Sequence, residues 1–505
     1  MSFPTVSLPR PLEAGELATG LVCKRHLYLA YHGLLEKAGG EVWEDDGRYF
    51  DRQRRLTREA YYAPMSPRRG EWPAILEHPL LRVEVAGLEK QGSTTNITVV
   101  TSAMSVKRSA LLEAAGAIWI LRQKSEDPPE TAVTLVYLNR NYTPEEPEAP
   151  LFNEEDVSYQ AAAMAGEIGE RLAEFASYLQ RAPEAVRGDS YRCARPDRCP
   201  ACSAGVDAQG EESIFTLFRG REKVLPLFER GIRRLRDIPP DYALGRRQRI
   251  QMESHLTSTI HIELEPLRAF REKLVYPLGF LDFEAVQEAV PRVPLAKPWQ
   301  HLPFLFSLHT SSPEQRGLGV SSQVAYLCRE GLESLETMAR ILAEALEGVG
   351  SVVVYNREME ARSLRYLAQR FPYLGDVLEE AAERIVDLYL LFQAFALYHP
   401  RQQGSLSLKS VLPAFTGIDY AGRRFQDGRS ASLAYYWAHL DDRTPVGSQD
   451  RQWIDDELER YCSLDTFGLL KLLDAMEGLL ERAERTDPTQ RVGPVSVVSL
   501  EPIAE

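Results

Sequence analysis

Gly279-Phe280-Leu281-Asp282-Phe283-Glu284 decides how this chain is read. An apolar run from Leu274 to Leu281 feeds directly into two carboxylates one residue apart. Side chains alternate along a strand, so Asp282 and Glu284 share a face while Phe283 points into the opposite layer. Two neighbouring carboxylates repel each other and are costly beside a core. A divalent cation shared between them removes that cost, so a core strand ending in D-x-E reads as the first half of a two-metal site. The chain has 73 acidic residues, so the pair carries weight only if more carboxylates arrive at suitable places downstream.

They do. Pro303–His309 and Gln323–Cys328 read as two further strands, giving an antiparallel meander. An amphipathic helix follows over about 332–346, and Ser351-Val-Val-Val-Tyr355 reads as a buried strand. Asn356 then forms a turn or N-cap before a helix over 357–371. On that helix Glu360, Leu364, Leu367 and Phe371 share one face, which puts Glu360 on the core side. Arg384-Ile-Val-Asp387 repeats the apolar run into an acid, either as a helix cap or as support for the site. Lys409 lies inside an apolar pattern at the start of a short helix. Its ammonium either reaches the site or the substrate backbone, or snorkels at the surface. The last clear helix, about 452–482, carries Ile454, Leu458, Tyr461, Asp465, Leu469 and Leu472 along one stripe. Asp465 interrupts that apolar stripe one turn after Tyr461, and a buried Asp needs a partner.

A length of 505 residues allows roughly two to four domains. The hydrophobic fraction of 44% and charged fraction of 26% match a globular protein. The first ten residues lack an apolar signal region and no run is long enough to span a bilayer, so a cytoplasmic protein without membrane association is expected. A net charge of −14 argues against a generally sticky polyanion binder, but local basic runs exist at Arg52–Arg58 and Arg230–Arg249.

Residues 1–205 read as one mixed α/β module. Strands are expected at 81–85, 97–101 and 132–138, with a helix over 107–122 and another over 157–179. A helical segment at 21–29 carries Cys23 near its beginning. The module closes with Cys193, Cys199 and Cys202 in a C-x5-C-x2-C pattern, a strong metal signal in a reducing compartment. Cys23 is the natural fourth ligand, and four thiolates suit a 4Fe-4S cluster or a structural Zn²⁺. Cys328 and Cys462 fall in core elements and read as small hydrophobes. Residues 206–270 read as a helical connector, 271–484 as the C-terminal domain, and 485–505 as a loose tail.

The N-terminal arrangement resembles the RecB-like, PD-(D/E)XK nuclease modules of CRISPR adaptation and recombination enzymes, in which one early and three late cysteines clamp a cluster. The resemblance covers most of residues 15–205. Such modules need an acid and then Glu-x-Lys on the next strand. Here Val99 and Thr101 stand where Glu and Lys are expected, with Glu84 as a remnant of the earlier acid. The module therefore reads as degenerate and catalytically dead. Gly231 to Pro239 resembles the connector that follows such modules.

Residues 273–480 resemble the DEDDy branch of the DnaQ-like exonucleases, RNase D among them, which have an RNase H-like fold. Asp282, Glu284, Glu360, Tyr461 and Asp465 stand in that order, with Glu360 in place of the usual middle Asp. The whole chain resembles an uncharacterised bacterial family that joins the two modules. The resemblance implies 3′–5′ hydrolysis of phosphodiester bonds in DNA or RNA. Asp282, Glu284, Glu360 and Asp465 would hold two Mg²⁺ or Mn²⁺ ions, Tyr461 would orient the water, and Asn356 and Lys409 would meet the substrate. The competing expectation is a non-catalytic nucleic-acid-binding or assembly subunit, with protein partners in a repair or defence complex.

Overall fold

The structure is a computed structural model. It describes residues 8–34, 46–63, 73–145, 149–187, 213–311, 318–443, 446–485 and 495–499. The chain is a mixed α/β fold in two compact units: residues 1–208 with 288–300, and residues 209–287 with 301–505.

The first unit is built on two small sheets. β1 (Leu12–Glu13), β2 (Ala74–His78) and β3 (Leu81–Val85) form one, in the order β1-β3-β2. β4 (Gly87–Gln91), β5 (Thr94–Val100), β6 (Glu130–Leu138) and β7 (Phe152–Asp156) form the other, in chain order. β5 and β6 run parallel, so the chain must cross over between them, and helix Arg108–Gln123 makes that crossing. It packs along helix Ser158–Leu179.

The helical segment expected at 21–29 is two helices, Ala14–Val22 and Lys24–Tyr31, which break at Cys23. Cys23 has extended backbone there, and its buried sulfur caps the second helix by accepting the His26 N–H at 3.3 Å. Cys193, Cys199 and Cys202 lie outside the described residues. Val99 is fully buried, so that position holds core rather than a carboxylate. Glu84 is the ion-pair partner of Arg58, which also reaches Glu113 at 3.2 Å.

The second unit opens with helices Arg221–Glu229 and Arg246–Thr257 and strand β8 (Thr259–Glu263). Its main sheet has five strands: β9 (Leu278–Val286), β10 (Leu302–Ser311), β11 (Ser322–Leu327), β12 (Val352–Val354) and β13 (Ile385–Asp387). Their order is β11-β10-β9-β12-β13. β9, β10 and β11 form an antiparallel meander, whereas β12 and β13 run parallel to β9. Helix Leu335–Leu346 crosses to β12, and helices Glu358–Arg370 and Gly375–Glu383 cross to β13. β9 begins at Leu278 rather than Leu274, because Pro277 has no N–H to give the ladder. As the central strand it is covered on both faces, which explains its nearly unbroken apolar run. The long helix Ser448–Arg485 packs on β9 and β10.

Two expectations about the flanks are corrected. The stretch expected as a separate helical connector groups with the second unit and contains β8. The stretch expected as a loose tail contains β15 (Val495–Ser499), which pairs antiparallel with β8. β14 (Leu397–Tyr398) occupies the other side, giving the order β14-β8-β15. Val495-Ser-Val-Val-Ser499 is rich in β-branched residues, and β8 offers it an edge of ladder donors and acceptors.

Candidate metal centre

Asp282, Glu284 and Asp465 each bring one carboxylate oxygen within 4.8 Å of the others. Among the described residues this is the single cluster of that kind. Its position follows from the sheet. β12 pairs with β9 only at Gly279 and Phe280, so the two parallel strands part just before Asp282. Gaps of this sort, at the carboxyl ends of parallel strands, are where open α/β sheets hold ligands. On the other side of β9 the β10 register shifts between Pro303 and Leu305, opposite Ala285 and Glu284. A bulge there re-aims side chains beside the site. Phe283 faces the opposite layer against Phe306, with ring centroids 6.2 Å apart.

Asp465 is delivered by the long helix. Thr466 pins that helix across the sheet through Ser307 Oγ at 2.9 Å and His309 Nδ1 at 2.8 Å. A second helix, Leu408–Thr416, lies against it. The approach requires Gly468, where a Cβ would stand 2.5 Å from Leu412 Cδ2. Ser407 caps the second helix, and Lys409 in its first turn donates to both Asp465 oxygens at 2.8 Å. The ammonium also lies 3.7 Å from the centroid of the Tyr420 ring and 4.2 Å from that of Tyr461. Tyr420 donates its hydroxyl to Asp465 Oδ1. The Cys462 thiol donates to Asp282 Oδ2 at 3.4 Å.

Glu284 meets the start of helix Gly428–Tyr435, where a Cβ on Gly428 would stand 3.2 Å from Glu284 Oε2. Glu360 is 3% exposed, in the first turn of helix Glu358–Arg370, and its Oε2 has no hydrogen-bond partner among the described residues. Asp387 closes β13, one residue before Leu388, the N-cap of the next helix. It accepts the backbone N–H of Asn356 at 2.8 Å and of Arg357 at 3.1 Å, which fixes the turn before the Glu360 helix. It also accepts the N–H of Tyr389 at 3.0 Å, at the start of the helix after β13. Asn356 has φ +69°, so it serves as the left-handed turn residue between β12 and that helix.

The electrostatics follow from this crowding. Burial first, and then the Asp465 charge, pushes the Asp282 carboxyl above the ordinary carboxylate range. Burial followed by Asp282 and Asp465 raises Glu284, while Lys409 opposes both shifts. Burial and then Asp282 raise Glu360. The Tyr461 hydroxyl is pushed far up by burial and by Asp465, so it stays a phenol that can orient a water and does not act as a base. Tyr420 is raised for the same two reasons. Burial likewise raises the Cys462 thiol.

The structure thus draws Asp282, Glu284, Tyr461, Asp465 and Lys409 together, whereas Glu360 lies outside the three-carboxylate cluster and only feels the Asp282 charge. Asn356 contributes a backbone turn. Lys409 does not snorkel, because its ammonium is held by Asp465 and two rings. Cys328 is a core thiol beside Met338, but Cys462 is more than a small hydrophobe because it touches Asp282. Tyr420 and Gly428 were not singled out by the sequence, and Cys462 was singled out only as a small core residue. The usable signal was at Asp427-Gly428, a helix start whose Asp427 cap accepts the Ser430 N–H at 2.7 Å.

The residues fit hard divalent ions such as Mg²⁺ or Mn²⁺. The donors are carboxylate oxygens, and the partnerless Glu360 oxygen is a buried acceptor that a cation would satisfy. A family model described as a domain of unknown function, DUF2779, matches residues 279–407. That span takes in Asp282, Glu284 and Glu360 and ends before Lys409, Tyr461 and Asp465. Comparison with curated proteins and with solved structures gives no match.

Proposed function

We propose that this protein is a metal-dependent nuclease, a 3′–5′ exonuclease acting on DNA or RNA, whose second unit is RNase H-like. The observation that carries the proposal is the convergence of Asp282 and Glu284 on the central strand with Asp465 on the long helix. The strand order, with an antiparallel meander followed by two parallel strands, supports the fold part of the reading.

Asp282, Glu284, Asp465 and Glu360 would hold two Mg²⁺ or Mn²⁺ ions. Bound there, such ions lower the pKa of a coordinated water and stabilise charge on a phosphoryl group. The chain's own residues do the rest. Tyr461 orients the water through its hydroxyl. The carboxylates fix the geometry of attack because each comes from a packed element. With a cation on Asp465, Lys409 would be free to meet a substrate phosphate. The partnerless oxygen of Glu360 gains a partner.

The test uses single-stranded DNA and RNA labelled at either end, with Mg²⁺, Mn²⁺ or EDTA. Metal-dependent release of mononucleotides from the 3′ end is expected. Asp282→Asn and Asp465→Asn are each expected to slow it by about a thousandfold or more, the scale of losing a metal ligand or positioned charge. The proposal fails if both variants degrade substrate as fast as the unaltered chain. Binding without turnover in the unaltered chain points instead to the assembly-subunit reading. The proposal extends to a four-thiolate centre at Cys23, Cys193, Cys199 and Cys202. Visible absorption and metal analysis of anaerobically purified protein separate a 4Fe-4S cluster from Zn²⁺, and an absence of both metals removes this part.

A further inference from the structure

The second unit holds a cavity of about 460 Å³ that none of the acidic residues line. Phe218, Arg219, Gly245, Arg246, Arg247 and Gln248 form its walls, and Gln248 Oε1 accepts the Gly245 N–H at 3.0 Å. Arg246 is already engaged, with the Ala394 carbonyl at 3.1 Å and with Glu263. Arg219 and Arg247 are different. Their guanidinium carbons lie 5.4 and 5.8 Å from the centroid of the Phe218 ring, and neither forms an ion pair among the described residues. Arg219 is exposed and Arg247 half-buried at this hollow, in a chain whose net charge is −14. The first turn of the twelve-residue helix Arg246–Thr257 adds the positive end of its dipole. An anion lodged there would relieve the mutual repulsion of the two guanidinium groups, whose forked donors match phosphate oxygens.

The cavity floor is tied to the acidic site by packing. The Phe218 ring lies 4.8 Å from Phe395, which stacks on Tyr398 at 4.8 Å. Leu406 packs on the same cluster, next to the Ser407 cap of the Lys409 helix. Tyr355 donates to the Leu406 carbonyl at 2.6 Å, which connects the cluster to the strand before Glu360. The floor of the hollow is thus joined to the chain leading into the Lys409 helix and to Tyr355.

We infer that Arg219, Arg247 and the first turn of helix Arg246–Thr257 form a second, non-catalytic phosphate site, which holds the backbone of a single-stranded nucleic acid whose end lies at the Asp282–Asp465 centre. The inference rests on the nuclease reading for the identity of the strand. The cavity has the volume of a typical small-ligand pocket, about 300–1,000 Å³, and its arginines read charge and shape rather than base identity.

The experiment compares the unaltered chain with the double variant Arg219→Gln/Arg247→Gln. Fluorescence anisotropy of a labelled oligothymidylate and an oligouridylate is read in EDTA over a salt series. The double variant is expected to bind about tenfold more weakly at low salt, and its log K against log salt slope to be shallower by about 1.4, for two single-strand phosphate contacts. With Mg²⁺, KM for the long strand rises while kcat holds. Hydrolysis of a dinucleotide is unchanged, because its single phosphate leaves nothing for a second site. Unaltered thermal unfolding shows that the variant folds, and Arg219→Lys/Arg247→Lys is expected to recover part of the affinity if folding is in question. Equal affinity and slope in the double variant overturn the inference, as does no oligonucleotide binding by the unaltered chain. A mononucleotide or inorganic phosphate that binds as tightly as the long strand assigns the site to a small anion and overturns the strand assignment. Loss of binding in the double variant without any metal-dependent turnover in the unaltered chain sinks the nuclease reading and leaves the phosphate site standing.

Discussion

Replacing Lys409 with methionine removes the one ammonium held by the acidic cluster and keeps the length of the aliphatic stem. The Lys409 nitrogen is 2.8 Å from both Asp465 oxygens, and the two side chains are 24% and 8% exposed. Removing one partner of a fully buried pair costs about 3–5 kcal/mol because the other charge is stranded. Partial exposure and the remaining Tyr420 hydrogen bond bring the figure down to about 2 kcal/mol. For a unit of this size that is a fall of about 5 °C in melting temperature. The deficit shrinks when a divalent ion is added. In the unaltered chain the ion must displace the ammonium from Asp465, whereas in Lys409→Met it meets no competitor. If the ion binds tenfold more tightly, saturation adds about 1.4 kcal/mol more stabilisation to the variant. Thermal unfolding followed by circular dichroism in EDTA and in Mn²⁺ measures both effects. A deficit of the same size with and without Mn²⁺ refutes the idea that lysine and cation share one place.

Three other perturbations test separate parts of the structure. Gly428→Ala places a methyl 3.2 Å from Glu284 Oε2 and moves that carboxylate by a few tenths of an ångström. Turnover of labelled strands is expected to fall by about tenfold at nearly unchanged melting temperature, and unchanged turnover removes Glu284 from the working set. Tyr420→Phe strips a buried hydroxyl from Asp465 and is expected to cost about 1–2 kcal/mol in urea unfolding without Mn²⁺; no loss shows that the hydroxyl does not support Asp465. Burial, and then Arg401, hold the His399 imidazole down to about 4. The native state therefore binds fewer protons than the unfolded chain between pH 6.5 and 4, so this stability is whole above 6.5 and is lost as pH falls towards 4, by about 3 kcal/mol at most. His399→Asn keeps an acceptor for the Arg401 N–H and should flatten that acid limb in denaturant titrations; an equally steep limb in the variant rules His399 out as its cause.

Periodicity made the anionic residues legible. Asp282 and Glu284 showed because strand alternation fixes their common face, and Asp465 showed because it breaks a helical apolar stripe. Glu360 showed by the same rule on its own helix. The residues that balance them did not. Lysine in an amphipathic helix reads alike whether it snorkels or turns inward, so Lys409 had two readings and only packing against Gly468 selects one. Tyr420 sits in a connection without period, where no pattern says which side chain is buried. Cys462 is as apolar as its neighbours until the distance to Asp282 is known. β8 and β15 are short strands whose partners are remote in sequence, and local propensity does not encode such pairings. The break at Cys23 went unseen because the helical pattern continues on both sides of it.

Among the described residues, three clustered carboxylates and a fourth that feels their charge stand beside one ammonium, an imbalance that a fold retains only with compensation. Part of it comes from protons, since burial and mutual repulsion raise Asp282, Glu284 and Glu360 together. Part comes from Lys409, pinned between two rings. Neither reaches the Glu360 oxygen that lacks a hydrogen-bond partner. An apolar isostere at these positions would be cheaper for stability alone, so a purely structural account leaves the acids without a reason to be there. Multivalent cations would supply one. They would replace the shared protons and the ammonium at once, and the repulsion among the acids would then add to their affinity. The crowding that makes these acids costly side by side would then favour small, doubly charged, oxygen-seeking ions over a single lysine.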